Sequence, residues 1–271
     1  MKRVMNWIKN STLTLLSLFI SIFIAETIVS IVYPQNLSGS WRVIDDSGFS
    51  MNKSQGKSTH RYGDREAIYS FEDFGVRSSF QSTEEPATKI LVLGDSFTFG
   101  YLLSVEDTYI EQLARANQHM KFLNAASGGA GASDYTAYME TFCRTINPDI
   151  ALVIINADDV GRMLRSPVYE YNFESDSVGR SEYTPTREHR VKNFLNSFAI
   201  YQVLLESSNL LQLIRTVYVG TLSLPLGTGL DRFGWMKIVD LNYTNAFSAA
   251  LFRYLHELSS DCGAELRLVY T

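Results

Sequence analysis

The 271 residues carry 24 Lys and Arg against 29 Asp and Glu, a formal net charge of −5. That balance gives no electrostatic footing for a nucleic-acid partner. Only two cysteines occur, Cys143 and Cys262, in no CxxC spacing, so a cysteine metal cage is not expected. The thiols have two readings: buried free cysteines, the simpler one, or a pair joined outside the cytoplasm. A hydrophobic content of 45% suits one domain of ordinary size with additional segments.

The first of those segments is apolar. Residues 12–33 read TLTLLSLFISIFIAETIVSIVY, with Glu26 as the single charge. A run of that length crosses a hydrocarbon layer about 30 Å thick as one helix. Lys2, Arg3 and Lys9 precede it, which by the positive-inside rule keeps the N-terminus cytoplasmic and sends the rest across. Residues 1–35 are therefore read as a single-pass anchor in the cytoplasmic membrane, with the remainder of the chain extracytoplasmic. Glu26 is placed at the outer interface, because a carboxylate in lipid is costly. A cleaved signal peptide and a buried soluble helix are the competing readings. Against cleavage, no A-x-A-like site precedes Pro34.

Residues 36–88 are polar and Ser-rich and are expected to form a linker and N-terminal extension. Within them FEDFGVRSSF reads as ordered, with a turn at Gly75 followed by Arg77. From Lys89 onward strands alternate with helices. KILVLGDS is a buried strand ending in a turn, and residues 106–118 form a helix with Tyr109, Leu113 and Ala116 on its apolar side. HMKFLNAA is a second strand, residues 127–131 a Gly-rich loop, and residues 135–146 a helix closed by Asn147-Pro148. DIALVIINA is a third strand. Residues 163–190 are an irregular excursion, residues 194–218 helical and residues 222–235 a loop. Residues 245–260 form a helix with Phe247, Leu251, Tyr254 and Leu258 on one stripe, and ELRLVY begins a fourth strand. This alternation predicts a three-layer α/β/α domain over residues 89–271 with a mainly parallel sheet.

The chemistry is expected at Gly94-Asp95-Ser96-Phe97-Thr98-Phe99-Gly100, where the first core strand ends. Sites in open α/β sheets form at carboxyl ends of strands, near the switch in strand order. GDS alone is a weak motif, since a helix N-cap serine produces the same letters. The longer stretch GDSFTFGYLLSVEDTYIEQL, with FGVR upstream and NAASGGAGASDY downstream, resembles the sequence blocks of the SGNH/GDSL hydrolase family, especially its membrane-anchored bacterial members. The resemblance runs from about Phe71 to the end. It implies a flavodoxin-like SGNH fold and a serine esterase or acyl hydrolase that works without metal or organic cofactor. Ser96 would be the nucleophile. Its own N–H and that of Gly129 would face the oxyanion, Gly128 being the nearest alternative. Asp95 would fix the turn rather than act as an acid.

Two departures accompany the resemblance. The family's third block supplies an Asn amide to the oxyanion, and PDIALVIINADDVGRM puts Asp158 in that register. An ionised carboxylate donates no hydrogen bond. Asn156, two residues earlier, is the alternative donor. The family's closing D-x-x-H, which supplies the base, has no match, so the C-terminal part of the domain is expected to be missing and the general base is unassigned. His60, His119, His189 and His256 each read as surface histidines. The implied substrates are O-acyl groups of envelope glycans or lipids, with Tyr169, Tyr171 and Phe173 as candidates for an acceptor groove or for structural roles. A catalytically inactive glycan- or partner-binding domain of the same fold is the alternative.

Overall fold

The computed structural model describes residues 2–32, 41–44, 48–62, 65–77, 88–166, 168–182, 194, 198 and 241–271. Helix α1 (Lys2–Val32) contains a stretch, Lys9–Ile28, with mean hydropathy 1.8, long and apolar enough to cross a membrane. None of that stretch is buried against the rest of the chain.

The segment expected to be linker instead carries four strands. β1 (Arg42–Ile44) pairs antiparallel with β2 (Ser50–Asn52), and β3 (Gly56–Tyr62) with β4 (Arg65–Phe71). The reason is period-two patterning inside a polar-looking sequence. In β4 the residues Ala67, Tyr69 and Phe71 turn inward while Glu66 and Ile68 face out. They form one buried cluster with Trp41, Phe99 and Ala126. A 3-10 turn, Asp73–Gly75, then delivers Arg77, which is 1% exposed and bridges to Asn124. His60, expected at the surface, is fully buried in this layer because Trp41, Tyr69 and Tyr101 enclose its ring.

The central sheet follows: β5 (Thr88–Leu93), β6 (Met120–Asn124), β7 (Ile150–Ile155) and β10 (Glu265–Tyr270), in the order β10-β7-β5-β6 and all parallel. Helices connect parallel neighbours, as they must. A short α2 (Ser96–Phe99) and α3 (Tyr109–Ala116) lead from β5 to β6, and α4 (Ala132–Ile146) from β6 to β7. After β7 come α5 (Ala157–Arg165), a hairpin of β8 (Tyr169–Asn172) and β9 (Ser177–Arg180), and α6 (Leu241–Asp261). On one face Leu91, Leu93, Ala151 and Val153 pack under α4 and α6; on the other, Ile90, Val92 and Phe122 pack under Ile110 and Ala114 of α3. The result is the expected α/β class, a parallel sheet with helices on both faces.

Differences of detail have simple causes. The buried side of α3 is Ile110, Glu111 and Ala114, whereas Tyr109 and Leu113 are about two-fifths exposed, 40% and 42%. The helix begins after a separate 3-10 turn, Val105–Asp107, which shifts the phase of its stripe. Helix α6 buries Phe247 and Leu251 as expected, with Leu255 fully buried and Tyr254 and Leu258 partly so. The excursion after residue 163 is ordered at its start by the β8–β9 hairpin, where Tyr169 and Arg180 both bond Glu140 of α4. Cys143 and Cys262 form a disulfide across 119 residues, with a Cα–Cα distance of 6.0 Å. The free-thiol reading is thus overturned: α4 packs on α6, and that contact brings the two positions together. The helix expected over residues 194–218 and the loop over 222–235 lie outside the described residues, Phe194 and Phe198 apart.

Candidate active site

Strand order decides where a site forms. β5 has its sequence successor β6 on one side and β7 on the other, so the chain reverses its winding direction at β5. A crevice opens at the carboxyl end of the strand at such a switch. Ser96 lies just past that end. Asp95 caps α2 by accepting the Phe97 N–H at 2.9 Å, and Ser96 is the first residue of the helix, half-buried. Gly100 closes α2 at φ +77°. A Cβ there would strike Thr108 and approach Arg77, so glycine is required on two counts. Among the described residues, none bonds the Ser96 hydroxyl. Phe97 beside it is 77% exposed.

The Gly-rich loop is held close to the turn that carries Ser96. Ser127 N–H donates to Gly94 O at 3.0 Å, and Gly131 N–H to Asp134 Oδ2 at 3.0 Å. Between these anchors Gly129 is exposed with φ +75°, and Gly128 is buried with the Tyr101 ring near it. The N-terminal strands cover this loop. Asn52 donates to Ala126 O at 2.9 Å, and Ser50 N–H to Asp134 Oδ1 at 3.1 Å. Burial pushes the Asp134 carboxyl up, against the pull of those two N–H groups and of Arg42 and Arg162.

Behind Ser96 lies a network that no motif announced. Asp95 Oδ2 accepts from Asn156 Nδ2 at 2.8 Å and from Arg162 at 3.0 Å. Arg162 also bonds Asp159 at 2.8 Å and Ala130 O at 3.2 Å, so one guanidinium joins β5, α5 and the Gly-rich loop. Burial works against the Arg162 charge, but the bond to Asp95 and the charges of Asp159 and Asp95 outweigh it and raise its pKa. Asp159, which is fully buried, is pushed up to about 6, first by burial and then by Asp95. The signal available in the sequence was Asp159 and Arg162 three apart on one helix face.

The two candidates of the third block separate. Asn156 caps α5, accepting the Asp158 N–H at 2.8 Å while its amide holds Asp95. The side chain of Asp158 is 51% exposed and 3.9 Å from Arg162. No described histidine accompanies Ser96. His119 stands at the amino end of β6, opposite the site. His256 is exposed on α6. His60 is bonded through Nδ1 to the Tyr69 hydroxyl at 2.8 Å, and burial lowers its pKa to about 4. His189 lies outside the described residues. Tyr169 is buried against Glu140, Tyr171 bonds Asp176, and only Phe173 is strongly exposed, at 64%.

No protein-family model matches the chain, and neither does any curated protein. Among solved structures the chain is similar to AlinE4, described as an SGNH-hydrolase family esterase, at 18% identity over 68% of this chain and 77% of that one, TM-score 0.28. It is also similar to the psychrotrophic esterase EstA from Pseudoalteromonas sp., at 16% identity over 67% of this chain and 76% of that one, TM-score 0.27. A third is Axe2, an acetylxylan esterase from Geobacillus stearothermophilus, at 15% identity over 67% and 76% of the two chains, TM-score 0.25. Likeness at that level says nothing of activity. What the site does has to be read from its own residues.

Proposed function

We propose that the chain is a serine esterase of SGNH type, tethered by α1, that cleaves O-acyl groups from envelope glycans or lipids through an acyl-Ser96 intermediate. One observation carries this reading: a half-buried hydroxyl, without a partner among the described residues, at the carboxyl end of the switch-point strand, with the Gly-rich loop held beside it. Ser96 Oγ attacks the ester carbonyl carbon and gives up its proton to a base, and the alcohol leaves with a proton. Water then attacks the acyl-enzyme, releasing the acid and restoring the hydroxyl. The serine N–H and that of Gly129 face the oxygen that becomes negative. The exposed ring of Phe97 gives an acyl or sugar group an apolar surface to rest on. No metal or organic cofactor enters this scheme.

An extracytoplasmic position is supported by the Cys143–Cys262 disulfide, since such bonds persist in oxidising compartments. It agrees with the basic residues ahead of the apolar stretch. The test is hydrolysis of p-nitrophenyl acetate by the full chain in detergent or nanodiscs. Turnover that disappears in Ser96→Ala supports the esterase, and turnover that survives it refutes Ser96 as nucleophile.

A second reading, a domain of this fold that binds an acylated ligand without cleaving it, is favoured by the Asp158 carboxylate and by the lack of a histidine near Ser96 among the described residues. A folded chain that turns over no ester yet retains acetylated glycan in a binding assay is the result that selects it.

A further inference from the structure

If Ser96 is the nucleophile, the oxyanion needs more than two backbone N–H groups, because the surroundings are acidic. Asp95, Asp134, Asp158 and Asp159 surround a loop that Arg162 only partly compensates, and three of the four already hold Arg162. The second guanidinium at this loop comes from outside the family-like region. Arg42, in β1, lies against the exposed Gly129: a Cβ built on that glycine would meet Arg42 NH1 at 3.3 Å. Its Nε and NH2 donate to Ser50 Oγ at 3.2 and 2.7 Å. NH1 has no protein partner among the described residues.

The position of Arg42 is enforced from both sides. Its neighbour Trp41, 1% exposed, stacks on Phe99 of α2 with ring centroids 5.9 Å apart and planes within 2°. Ser50, which receives the guanidinium, is itself pinned to Asp134 at the start of α4. The strand thus spans from the nucleophile's helix to the Gly-rich loop, and the Arg42 NH1 group, without a partner among the described residues, lies at Gly129. Burial lowers the Arg42 pKa, with Asp134 opposing.

We infer that Arg42 is a catalytic residue of the Ser96 site: NH1 donates to the substrate carbonyl oxygen as it turns into an oxyanion, supplying the donor that Asp158 cannot. This rests on the esterase reading above and adds a residue to it.

The test is the second-order rate of phosphonylation by a fluorophosphonate, whose P–O oxygen occupies the oxyanion position, together with p-nitrophenyl acetate kinetics. Arg42→Met keeps the apolar stem and removes the donors. It is expected to slow phosphonylation about 100-fold and to lower kcat similarly while KM stays within about threefold. Arg42→Lys is expected to fall between, and methylguanidinium to restore part of the rate to Arg42→Ala. Ser50→Ala, which cuts the structural tie but leaves the guanidinium, controls for mere strand docking and is expected to keep most of the rate. If Arg42→Met does not fold by near-UV circular dichroism, Arg42→Lys carries the comparison. Wild-type rates in folded Arg42→Met or Arg42→Lys overturn the inference and leave the esterase reading intact. A folded wild-type chain that is never phosphonylated overturns both.

Discussion

Asn156 donates its side-chain amide to Asp95 Oδ2 across 2.8 Å and so joins the end of β7 to the residue that precedes Ser96. The same side chain caps α5 through the Asp158 N–H. Asn156→Ala loses both bonds at once and is expected to destabilise the fold by about 1–3 kcal/mol in urea titrations. Asp158→Ala, two residues on, exposes nothing and is expected to stay within about 0.5 kcal/mol of wild type. On activity the two positions are expected to act in opposite directions. On the esterase reading, Asp158→Asn replaces a carboxylate by an amide that can donate and is expected to raise the rate of ester cleavage, where Asn156→Ala lowers it.

Arg162 is the common partner of Asp95 and Asp159, which are 2% and 0% exposed. Removing it leaves two interior carboxylates without a counter-ion. Arg162→Met is expected to cost about 3–5 kcal/mol. Adding Asp159→Asn returns part of that loss, because one stranded charge goes with it. A double-mutant cycle by equilibrium unfolding measures the coupling, and simple additivity of the two changes contradicts the network.

His60 makes stability depend on pH. Its ordinary pKa is 6.5, and in the folded chain burial holds it at about 4. Below pH 6.5 the unfolded chain binds a proton that the folded chain refuses until about pH 4. The stabilisation is therefore complete above pH 6.5 and is lost as pH falls between those values, by on the order of 3 kcal/mol. Unfolding free energies measured across that window are expected to fall with pH in wild type and to slope less in His60→Asn. An unchanged slope places the titrating group elsewhere.

The Cys143–Cys262 bond closes a loop of 119 residues and ties α4 to the turn before β10. Loop-closure entropy assigns such a link about 4–5 kcal/mol. Reduction, or the Cys143→Ala/Cys262→Ala pair, is expected to lower the thermal midpoint by many degrees. A thiol titration of the unfolded, unreduced chain is expected to find no free cysteine.

The sheet was legible because residues 90–93 of β5 and the whole of β7 are unbroken apolar runs, as strands covered on both faces have. The place of Ser96 at the turn after β5 was legible because a strand-end turn leaves a local signature. The layer made by β1 to β4 was not. Its inward residues, such as Ala67, Tyr69 and Phe71, alternate with the mixed set Glu66, Ile68 and Ser70, and the polar stretches NKSQGKSTHR and STEEP on either side obscure the period. The disulfide stayed one of two readings for a different reason: no spacing rule links positions brought together by helix packing. Arg162 bonds Asp95 from a distant segment, Arg42 reaches the Gly-rich loop from a third, and only the folded chain brings these pieces together.

The central claim is that Ser96 is a reactive hydroxyl, and mapping its covalent product tests that most directly. The full chain is treated with a fluorophosphonate, digested, and sequenced by tandem mass spectrometry. The expected result is a single phosphonyl adduct on the peptide containing Gly94-Asp95-Ser96, absent after heat denaturation. An adduct on another residue, or none on a chain shown to be folded, contradicts the account.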